Sequence, residues 1–372
     1  MRRKIQRTLL AALMGGLLGL PAWAQIKIGQ TAGFSGPVAA GVKEITEGAR
    51  LYLDAVNAQG GVAGQKIELI SLDDKFDPKL SASNAKQLIE QGVLSLFLTR
   101  GTPQSQAILP LLAEHKVALV APSTGAMLLH RPVNPYVFNV RATYQREAER
   151  AVLHLAGMGV QRIGLVQVDD SFGDDGASGA LRGLENAKLK PVAHIKYPRT
   201  NPSLGPLMKQ MAAADAQALV FIGAAEAVAE GVETLRAAGS NAQLVTLSNN
   251  ASAGFIKSLK GQARGVIVSQ VFPSERSLNM PLVREAQQLA KAQKIELTPA
   301  NLEGFTAAKV LVEGLRRASK DKDLSRAGLL KALDSLLKFD LGGLELNFSP
   351  NDHTGLDYGD VSIIGPDGKF WR

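Results

Sequence analysis

Short apolar runs alternate along the chain with longer stretches in which apolar residues recur at helical spacing. The run 218–222 is apolar throughout, as is typical of a strand buried on both faces of a parallel sheet. In 43–58, Ile45, Ala49 and Tyr52 follow one another at steps of four and three, which indicates an amphipathic helix. Strands that alternate with helices of this length predict βαβ units, and therefore an α/β fold with parallel-rich sheets flanked by helices.

The same pattern predicts most of the regular elements. Strands are expected at 26–30, 67–72, 94–98, 118–121, 163–168, 193–197, 218–222, 244–247 and 266–270. Helices are expected at 43–58, 79–91, 104–115, 145–157, 174–187, 203–213, 225–238, 281–292 and 301–318. Two further strand-like runs, 344–348 and 358–363, lie near the C-terminus, and their pattern does not say which sheet they join. Because no linker divides a chain this long, two domains joined by strand crossovers are expected.

The first 24 residues have the pattern of a secretory signal peptide. Four positive charges precede position 8, an apolar run follows, and an A-x-A pattern ends at Ala24. We therefore expect residues 1–24 to be cleaved and the mature chain to begin at Gln25. The alternative, an uncleaved anchor, is disfavoured because the apolar run is short for a membrane span of about 20 residues.

Composition limits the cellular compartments and the kinds of chemistry that are expected of this chain. The chain has no cysteine, which excludes thiolate zinc sites, cysteine nucleophiles and a lipid-modified cysteine anchor. A freely diffusing protein of the bacterial periplasm, monomeric and without a cofactor, is the expectation. The net charge of +8 includes four positive charges of the signal, so only +4 remains on residues 25–372. With 5% aromatic residues, this does not indicate a nucleic-acid partner.

The residue inventory argues against an enzyme. The five histidines are isolated, and no nucleophile elbow, Walker A loop or G-x-G-x-x-G turn occurs. Asp73 and Asp74 follow a strand, but no partner acid, base or nucleophile accompanies them. The acidic segment 169–176 lacks the spacing of a calcium loop, so no metal site is predicted.

Polar residues stand at the junctions where predicted strands give way to helices. Thr102 is expected as an N-cap before Pro103, which leaves the N–H groups of Gln104 and Ser105 free for a carboxylate. The alternative is that Thr102 only caps its own helix, and both roles can coexist. The next junction brings Ser123, Thr124 and Gly125 together, and a later one offers the ring of Phe172 as a cleft wall. The candidate ligand-binding residues at these junctions are Thr102, Ser105, Ser123, Thr124, Gly125 and Phe172.

Several segments resemble the periplasmic leucine/isoleucine/valine-type solute-binding proteins of ABC transporters. The resemblance is carried by 33–37, by the Gly-Gly-Val-x-Gly turn at 60–64, by the Asp-Asp-x-x-Asp-Pro segment at 73–78, and by 121–124 and 170–173. It implies a Venus-flytrap fold, in which two Rossmann-like lobes are joined by three crossovers. One lobe would hold residues 25–142 and 273–340, and the other residues 143–272 and 341–372.

The resemblance also implies ligand groups, with departures from the family pattern. Thr102 matches a carboxylate-binding hydroxyl, and 123–125 matches the segment that contacts the ligand's carboxylate and ammonium. Phe172 keeps a ring where the family has an aromatic hydroxyl. The acidic residue that pairs with the ammonium would fall near Ser248 or Asn249, where no carboxylate stands. Phe34, Tyr144 and Asn249 complete the expected ligand-binding set, and Arg100 and Arg141 are further candidates for a ligand without an amine.

The function implied by the resemblance is capture of a small solute by closure of the two lobes. The ligand would be a branched-chain or other amino acid, or an aromatic or aliphatic carboxylic acid, delivered to an ABC permease in the inner membrane. Arg141 is also a candidate hinge residue. The alternative function is a ligand-binding sensor that feeds a signalling or regulatory system.

Overall fold

Two separate β-sheets, each flanked by helices, organise the chain. The computed structural model describes residues 25–372, so the expected signal peptide lies outside the described residues. The first sheet has five parallel strands in the order β2–β1–β3–β4–β5. Its strands are β1 Ile26–Ala32, β2 Ile67–Asp73, β3 Ser95–Phe97, β4 Ala118–Val120 and β5 Val137–Phe138. The helices packed around it are α1 Ala39–Ala58, α2 Pro78–Glu90, α3 Thr102–His115, α9 Pro281–Ala292, α10 Pro299–Lys320 and α11 Arg326–Asp334.

The second sheet has seven strands in the order β14–β13–β10–β9–β8–β6–β7. Its parallel strands are β6 Ile163–Val168, β7 His194–Tyr197, β8 Ala218–Ile222, β9 Gln243–Thr246 and β10 Ile267–Gln270. The hairpin β13 Asp360–Ile364 and β14 Phe370–Trp371 adds to β10 in antiparallel direction. The helices are α4 Tyr144–Gly157, α5 Ser171–Asn186, α6 Leu204–Ala213, α7 Ala225–Ala237 and α8 Ala253–Ser258. The α/β fold with parallel-rich sheets and flanking helices is confirmed.

Each sheet has its own apolar core. The core of the first sheet draws on residues from 26–142 and 271–356, and that of the second on residues from 126–268 and 361–370. We call the two units the first and the second lobe. The chain passes between them after β5, after β10, and again before β13. Within residues 25–372 no helix has both the length and the apolar character needed to cross a bilayer.

The segment after residue 340 is divided between the lobes, in contrast to the expectation that all of it belongs to the second. A short ribbon, β11 Phe339–Asp340 and β12 Glu345–Leu346, packs against the first core. Phe348 places its ring edge-on to Phe138, with centroids 5.5 Å apart. Burial of these apolar side chains holds the segment on the first lobe as far as Leu356, and only the β13–β14 hairpin joins the second sheet.

Two glycines allow α1 and α10 to pack at backbone distance. A Cβ built on Gly48 would overlap the carbonyl oxygen of Asn301, and one on Gly304 would overlap that of Ile45. Neither obstacle is a flexible side chain, so the helices themselves would have to separate. The close crossing joins an early and a late part of the chain within the first lobe.

We expect Gly48→Ala to lower the free energy of unfolding by about 2–3 kcal/mol, because a methyl group forced into a packed contact shifts the backbone. Urea denaturation measures the effect. The matched control is Gly157→Ala at the end of α4, where an added Cβ meets no described atom within 4 Å. That variant should be unchanged or more stable by up to about 1 kcal/mol. Equal behaviour of the two variants would contradict the close crossing.

His130 gives the first lobe a sensitivity to acid. The imidazole is 1% exposed, and neither ring nitrogen has a hydrogen-bond partner among the described residues. Burial, together with the positive charges of Arg141 and Arg131, lowers the pKa of His130 to about 4. Because an unfolded histidine titrates near 6.5, the unfolded state takes up the proton first. The stability that neutral His130 contributes is therefore lost as the pH falls from about 6.5 towards 4.

We expect His130→Leu to reduce the loss of unfolding free energy between pH 7.5 and pH 4.5 by about 2.5 kcal/mol. The measurement is urea denaturation at both pH values. The control is His154→Leu on the exposed side of α4, which should keep the loss seen in the unmodified chain. An identical loss in the His130 variant would show that this side chain does not carry the acid sensitivity.

Candidate functional site

A cleft of about 520 Å³ lies between the two lobes. It opens at the carboxyl ends of β2 and β3 from the first lobe and of β6, β7, β8 and β9 from the second, where ligands of open α/β sheets bind. The residues lining it from the first lobe are Pro37, Val38, Lys75, Phe76, Asp77, Pro78, Arg100, Gly101 and Thr102. Those from the second are Tyr144, Val168, Phe172, Tyr197, Arg199, Thr200, Asn201, Pro202, Ala224, Glu226, Ala227, Glu230 and Asn249.

Arg100 places a buried positive charge in the wall of this cleft. The residue is 5% exposed, and its Nη1 donates to Ser123 Oγ at 2.8 Å. Its Nη2 donates to the carbonyl oxygen of Asn249 at 2.6 Å, so the guanidinium reaches from the first lobe to the second. Among residues 25–372 it makes no direct ion pair, since Glu303 is reached only through Ser123, which donates to that carboxylate at 2.7 Å. A guanidinium held by neutral partners is a favourable place for a ligand carboxylate.

Thr102 lines the cleft, but the local geometry differs from the expected N-cap. Helix α3 begins at Thr102 itself, and Gly101 takes the capping position with a φ of 97°, a left-handed conformation that favours glycine. The Thr102 hydroxyl lies 2.8 Å from that of Thr124 instead of capping the helix. The N–H of Ser105, expected to be free, donates to the carbonyl oxygen of Gly101 at 3.0 Å.

The remaining hydroxyls predicted for the first lobe lie behind the cleft wall. Ser105 is fully buried, and its hydroxyl lies 2.9 Å from that of Thr99. Ser123 and Thr124 are buried too, and they contact Arg100 and Thr102 respectively. The structure therefore brings these hydroxyls together as a layer that supports the two lining residues.

Gly125 contacts the backbone of residues 142–144. Its carbonyl oxygen accepts from the N–H of Tyr144 at 2.8 Å, and a Cβ on it would meet the carbonyl oxygen of Ala142 at 2.6 Å. Gly125 thus lies against the first crossover between the lobes.

The aromatic rings of Phe172, expected as a cleft wall, and of Tyr144 lie on one side of the cleft. Their ring centroids are 4.8 Å apart at an interplanar angle of 61°, and the guanidinium carbon of Arg141 lies 4.6 Å from the centroid of the Tyr144 ring. Phe34 does not line the cleft; it packs in a small apolar cluster with Val38 and Phe76.

Asn249, three residues after β9, lines the cleft and has an acceptor without a partner. Its Nδ2 donates to the carbonyl oxygen of Gly223 at 2.9 Å and to Asn250 Oδ1 at 3.2 Å. Its Oδ1 is buried and has no partner among the described residues. Tyr197, a lining residue, is 2% exposed, and its hydroxyl is likewise buried without a hydrogen-bond partner among the described residues. Burial raises the pKa of Tyr197, so the phenol stays protonated.

Phe76, Tyr197 and Arg199 are among the lining residues that were not predicted from the sequence. Tyr197 is the last residue of a predicted strand, and Phe76 lies within the Asp-Asp-x-x-Asp-Pro segment, so these positions in the sequence could have indicated them. Arg199 pairs with Asp170, and its guanidinium carbon lies 4.7 Å from the ring centroid of Phe76. This cation–π contact is a second bridge between the lobes.

A buried charge cluster lies beside the cleft, near the first crossover. Arg141 is 1% exposed; it pairs with Glu147 at the start of α4, donates to Ser248 Oγ at 2.6 Å, and lies 3.9 Å from Glu303. Glu147 also accepts from the N–H of Ser248 at 2.9 Å. Arg141 therefore joins a carboxylate of each lobe, a position that agrees with a hinge residue.

Comparisons with known proteins agree with this architecture. A family model described as periplasmic binding protein matches residues 25–359. The Leu/Ile/Val-binding protein homolog 3 of Brucella melitensis is 24% identical over 320 residues, which cover 84% of each chain.

Two solved structures extend the comparison. A substrate-binding periplasmic protein from Ralstonia solanacearum is 30% identical, with a TM-score of 0.83 over 93% of this chain and 99% of that one. A possible leucine/isoleucine/valine-binding protein from Rhodopirellula baltica is 28% identical, with a TM-score of 0.87 over 95% of this chain and 98% of that one. The chain therefore belongs to the periplasmic binding protein family and is of its Leu/Ile/Val-binding type.

Proposed function

We propose that this protein is the solute-binding component of an ABC importer, and that it captures a small carboxylate-bearing ligand by closing its two lobes. It acts in the periplasm as a monomer and catalyses no reaction. The observation that carries the proposal is Arg100, a buried guanidinium that faces the cleft between the lobes and has no direct carboxylate partner among residues 25–372.

The ligand carboxylate would lie against Arg100 and Thr102, close to the N-terminus of α3. A helix N-terminus attracts negative charge, and a guanidinium binds a carboxylate through two parallel hydrogen bonds. Ser105, Ser123, Thr124 and Gly125 would position these groups from behind. Phe172 and Tyr144 would pack against the body of the ligand from the second lobe, with Phe34 supporting Phe76 at the cleft edge.

Closure would couple binding to transport. Arg100 and Phe76 of the first lobe already reach Asn249 and Arg199 of the second, so a ligand between them contacts both lobes at once. A ligand must favour the closed form by about 5.5 kcal/mol to shift a population from 1:99 to 99:1. The closed form would then dock on permease subunits, whose ATPase is a separate chain.

The test is calorimetric titration of residues 25–372 after copurified ligand has been removed by unfolding and refolding. The panel pairs each amino acid or organic acid with the amide in which a neutral carboxamide replaces its carboxylate. We expect saturable binding of at least one acid and none of its amide, because only the acid supplies a partner for Arg100. Binding of an amide as tight as that of its acid would contradict a carboxylate site.

A further inference from the structure

Two residues of the second-lobe wall, Asn249 and Tyr197, each have a polar atom without a partner, and both residues lie against Gly223. Asn249 Oδ1 and the hydroxyl of Tyr197 are both buried without a hydrogen bond to any described residue. Both flank Gly223, which follows β8: the Asn249 amide donates to its carbonyl oxygen, and a Cβ built on it would overlap the Tyr197 hydroxyl. A buried polar atom left unpaired is destabilising, so two such atoms beside one cavity wall indicate a group that a ligand supplies.

The orientation of the Asn249 amide decides what that group must be. Its nitrogen already donates to two acceptors, the carbonyl oxygen of Gly223 and Asn250 Oδ1. A flipped amide would put an oxygen against both acceptors, so the unpaired atom is the oxygen. The ligand must therefore offer a hydrogen-bond donor, while the Tyr197 hydroxyl can either donate or accept.

The charge of that donor follows from Arg100. The guanidinium donates to the carbonyl oxygen of Asn249 itself at 2.6 Å, so positive charge already stands beside this residue. A ligand ammonium at Asn249 would lie near this charge, and no buried carboxylate of the cleft lining would pair with the ammonium. The carboxylates that line the cleft, Asp77, Glu226 and Glu230, are all exposed, and Asp77 already caps α2. A neutral donor avoids this repulsion.

We propose that the ligand is a carboxylic acid that carries a neutral hydroxyl and no ammonium group, with the hydroxyl bound by Asn249 Oδ1 and the hydroxyl of Tyr197. This inference rests on the proposed function, because Arg100 must take the carboxylate. It assigns the two polar groups of the ligand to different lobes. Arg100 and Thr102 bind the carboxylate on the first lobe, and Asn249 and Tyr197 bind the hydroxyl on the second. Closure then requires both groups on one molecule.

The first experiment titrates the ligand-free chain with matched triads of acids. Each triad has one carbon skeleton with a hydroxyl, an ammonium or a hydrogen: 2-hydroxy-4-methylpentanoate, leucine and 4-methylpentanoate form one, and 2-hydroxy-3-phenylpropanoate, phenylalanine and 3-phenylpropanoate another. The pair 4-hydroxybenzoate and benzoate covers a phenolic hydroxyl. We expect a hydroxy acid to bind about tenfold or more tightly than its parent acid, and the amino acid to bind more weakly than the hydroxy acid.

Two substitutions locate the effect. Tyr197→Phe removes only the unpaired hydroxyl, so the fold should persist while affinity for the hydroxy acid falls about tenfold and affinity for the parent acid does not change. Tyr136→Phe, before β5 in the first lobe, is the matched control and should bind as the unmodified chain does. Asn249→Asp sets a carboxylate beside Arg100, so it should weaken the hydroxy acid and strengthen the amino acid relative to it. Asn241→Asp, in an exposed turn, should do neither.

The outcomes separate the two proposals. Parent acids that bind as tightly as hydroxy acids, or amino acids that bind best, would overturn the inference and leave the carboxylate site standing. An effect of Tyr197→Phe that is equal for both acids would overturn the assignment of the hydroxyl to this tyrosine. Silence from every acid would reject the carboxylate site itself, and this inference with it.

Discussion

Replacing Arg100 with methionine should weaken binding of the carboxylate ligand by about a hundredfold or more. Truncating one partner of a buried, hydrogen-bonded charge pair costs about 2–5 kcal/mol, because the other charge is left without compensation. In this protein the substitution also removes a hydrogen bond between the lobes, since Nη2 of Arg100 donates to the carbonyl oxygen of Asn249. The variant should therefore both bind and close less well. Calorimetric titration gives the affinity, and small-angle scattering with and without ligand gives the closure.

Two further variants sharpen the test. Arg100→Lys keeps the charge and loses the two-pronged geometry, so its affinity should lie between those of the methionine variant and the unmodified chain. Arg162→Met removes an arginine whose side chain is 47% exposed, far from the cleft, and should leave affinity unchanged. If the Arg100→Met variant bound an acid with an affinity within threefold of that of the unmodified chain, the ligand carboxylate would not be bound by Arg100.

Replacing Arg141 with methionine should lower the free energy of unfolding by about 3–5 kcal/mol. Removal of one member of a buried ion pair leaves an uncompensated buried charge, and here Glu147 and Glu303 both face the lost guanidinium. The Ser248 hydroxyl and the Tyr144 ring would lose a contact as well. Denaturation in urea at neutral pH measures the effect.

The control for this prediction is an ion pair of the same type at the surface. Arg182 pairs with Glu149 at 2.9 Å, and its side chain is 44% exposed. Because water screens such a pair, Arg182→Met should cost less than about 1 kcal/mol. A loss in the Arg141 variant no larger than in the Arg182 variant would mean that the cluster beside the crossover contributes little to stability.

The alternation of apolar runs was sufficient to predict the sheets. The strands expected at 163–168 and 218–222 are observed as β6 and β8 with the same bounds, because short, mostly apolar runs are typical of strands buried on both faces of a covered sheet. The run 344–348 is different, because only two of its residues pair as β12. The contact of Phe348 with Phe138, more than 200 residues earlier, decides where this segment lies, and local pattern carries no such information.

The site was predictable where a residue's position on a strand end determines its direction. Thr102, Phe172, Tyr144 and Asn249 do line the cleft. Ser105 does not, because α3 begins at Thr102, so Ser105 is the fourth helical residue and its N–H donates to the carbonyl oxygen of Gly101.

Arg199 was missed for another reason. Its place in the cleft depends on Asp170 and on Phe76 of the other lobe. Contacts that form only between two lobes do not affect the hydrophobic periodicity of either segment, so the sequence pattern does not predict them.

The crossing of α1 and α10 has a consequence for the order in which the chain can fold. Asn301 of α10 donates to the carbonyl oxygen of Glu44, 257 positions earlier, so a chain that emerges from its N-terminus leaves the apolar face of α1 uncovered until nearly all of it has been made. By then the five parallel strands of the second lobe are complete, and only its terminal hairpin is missing. The lobe that comes later in the sequence is thus able to assemble first. The earlier one remains open to chaperones and proteases until α10 arrives.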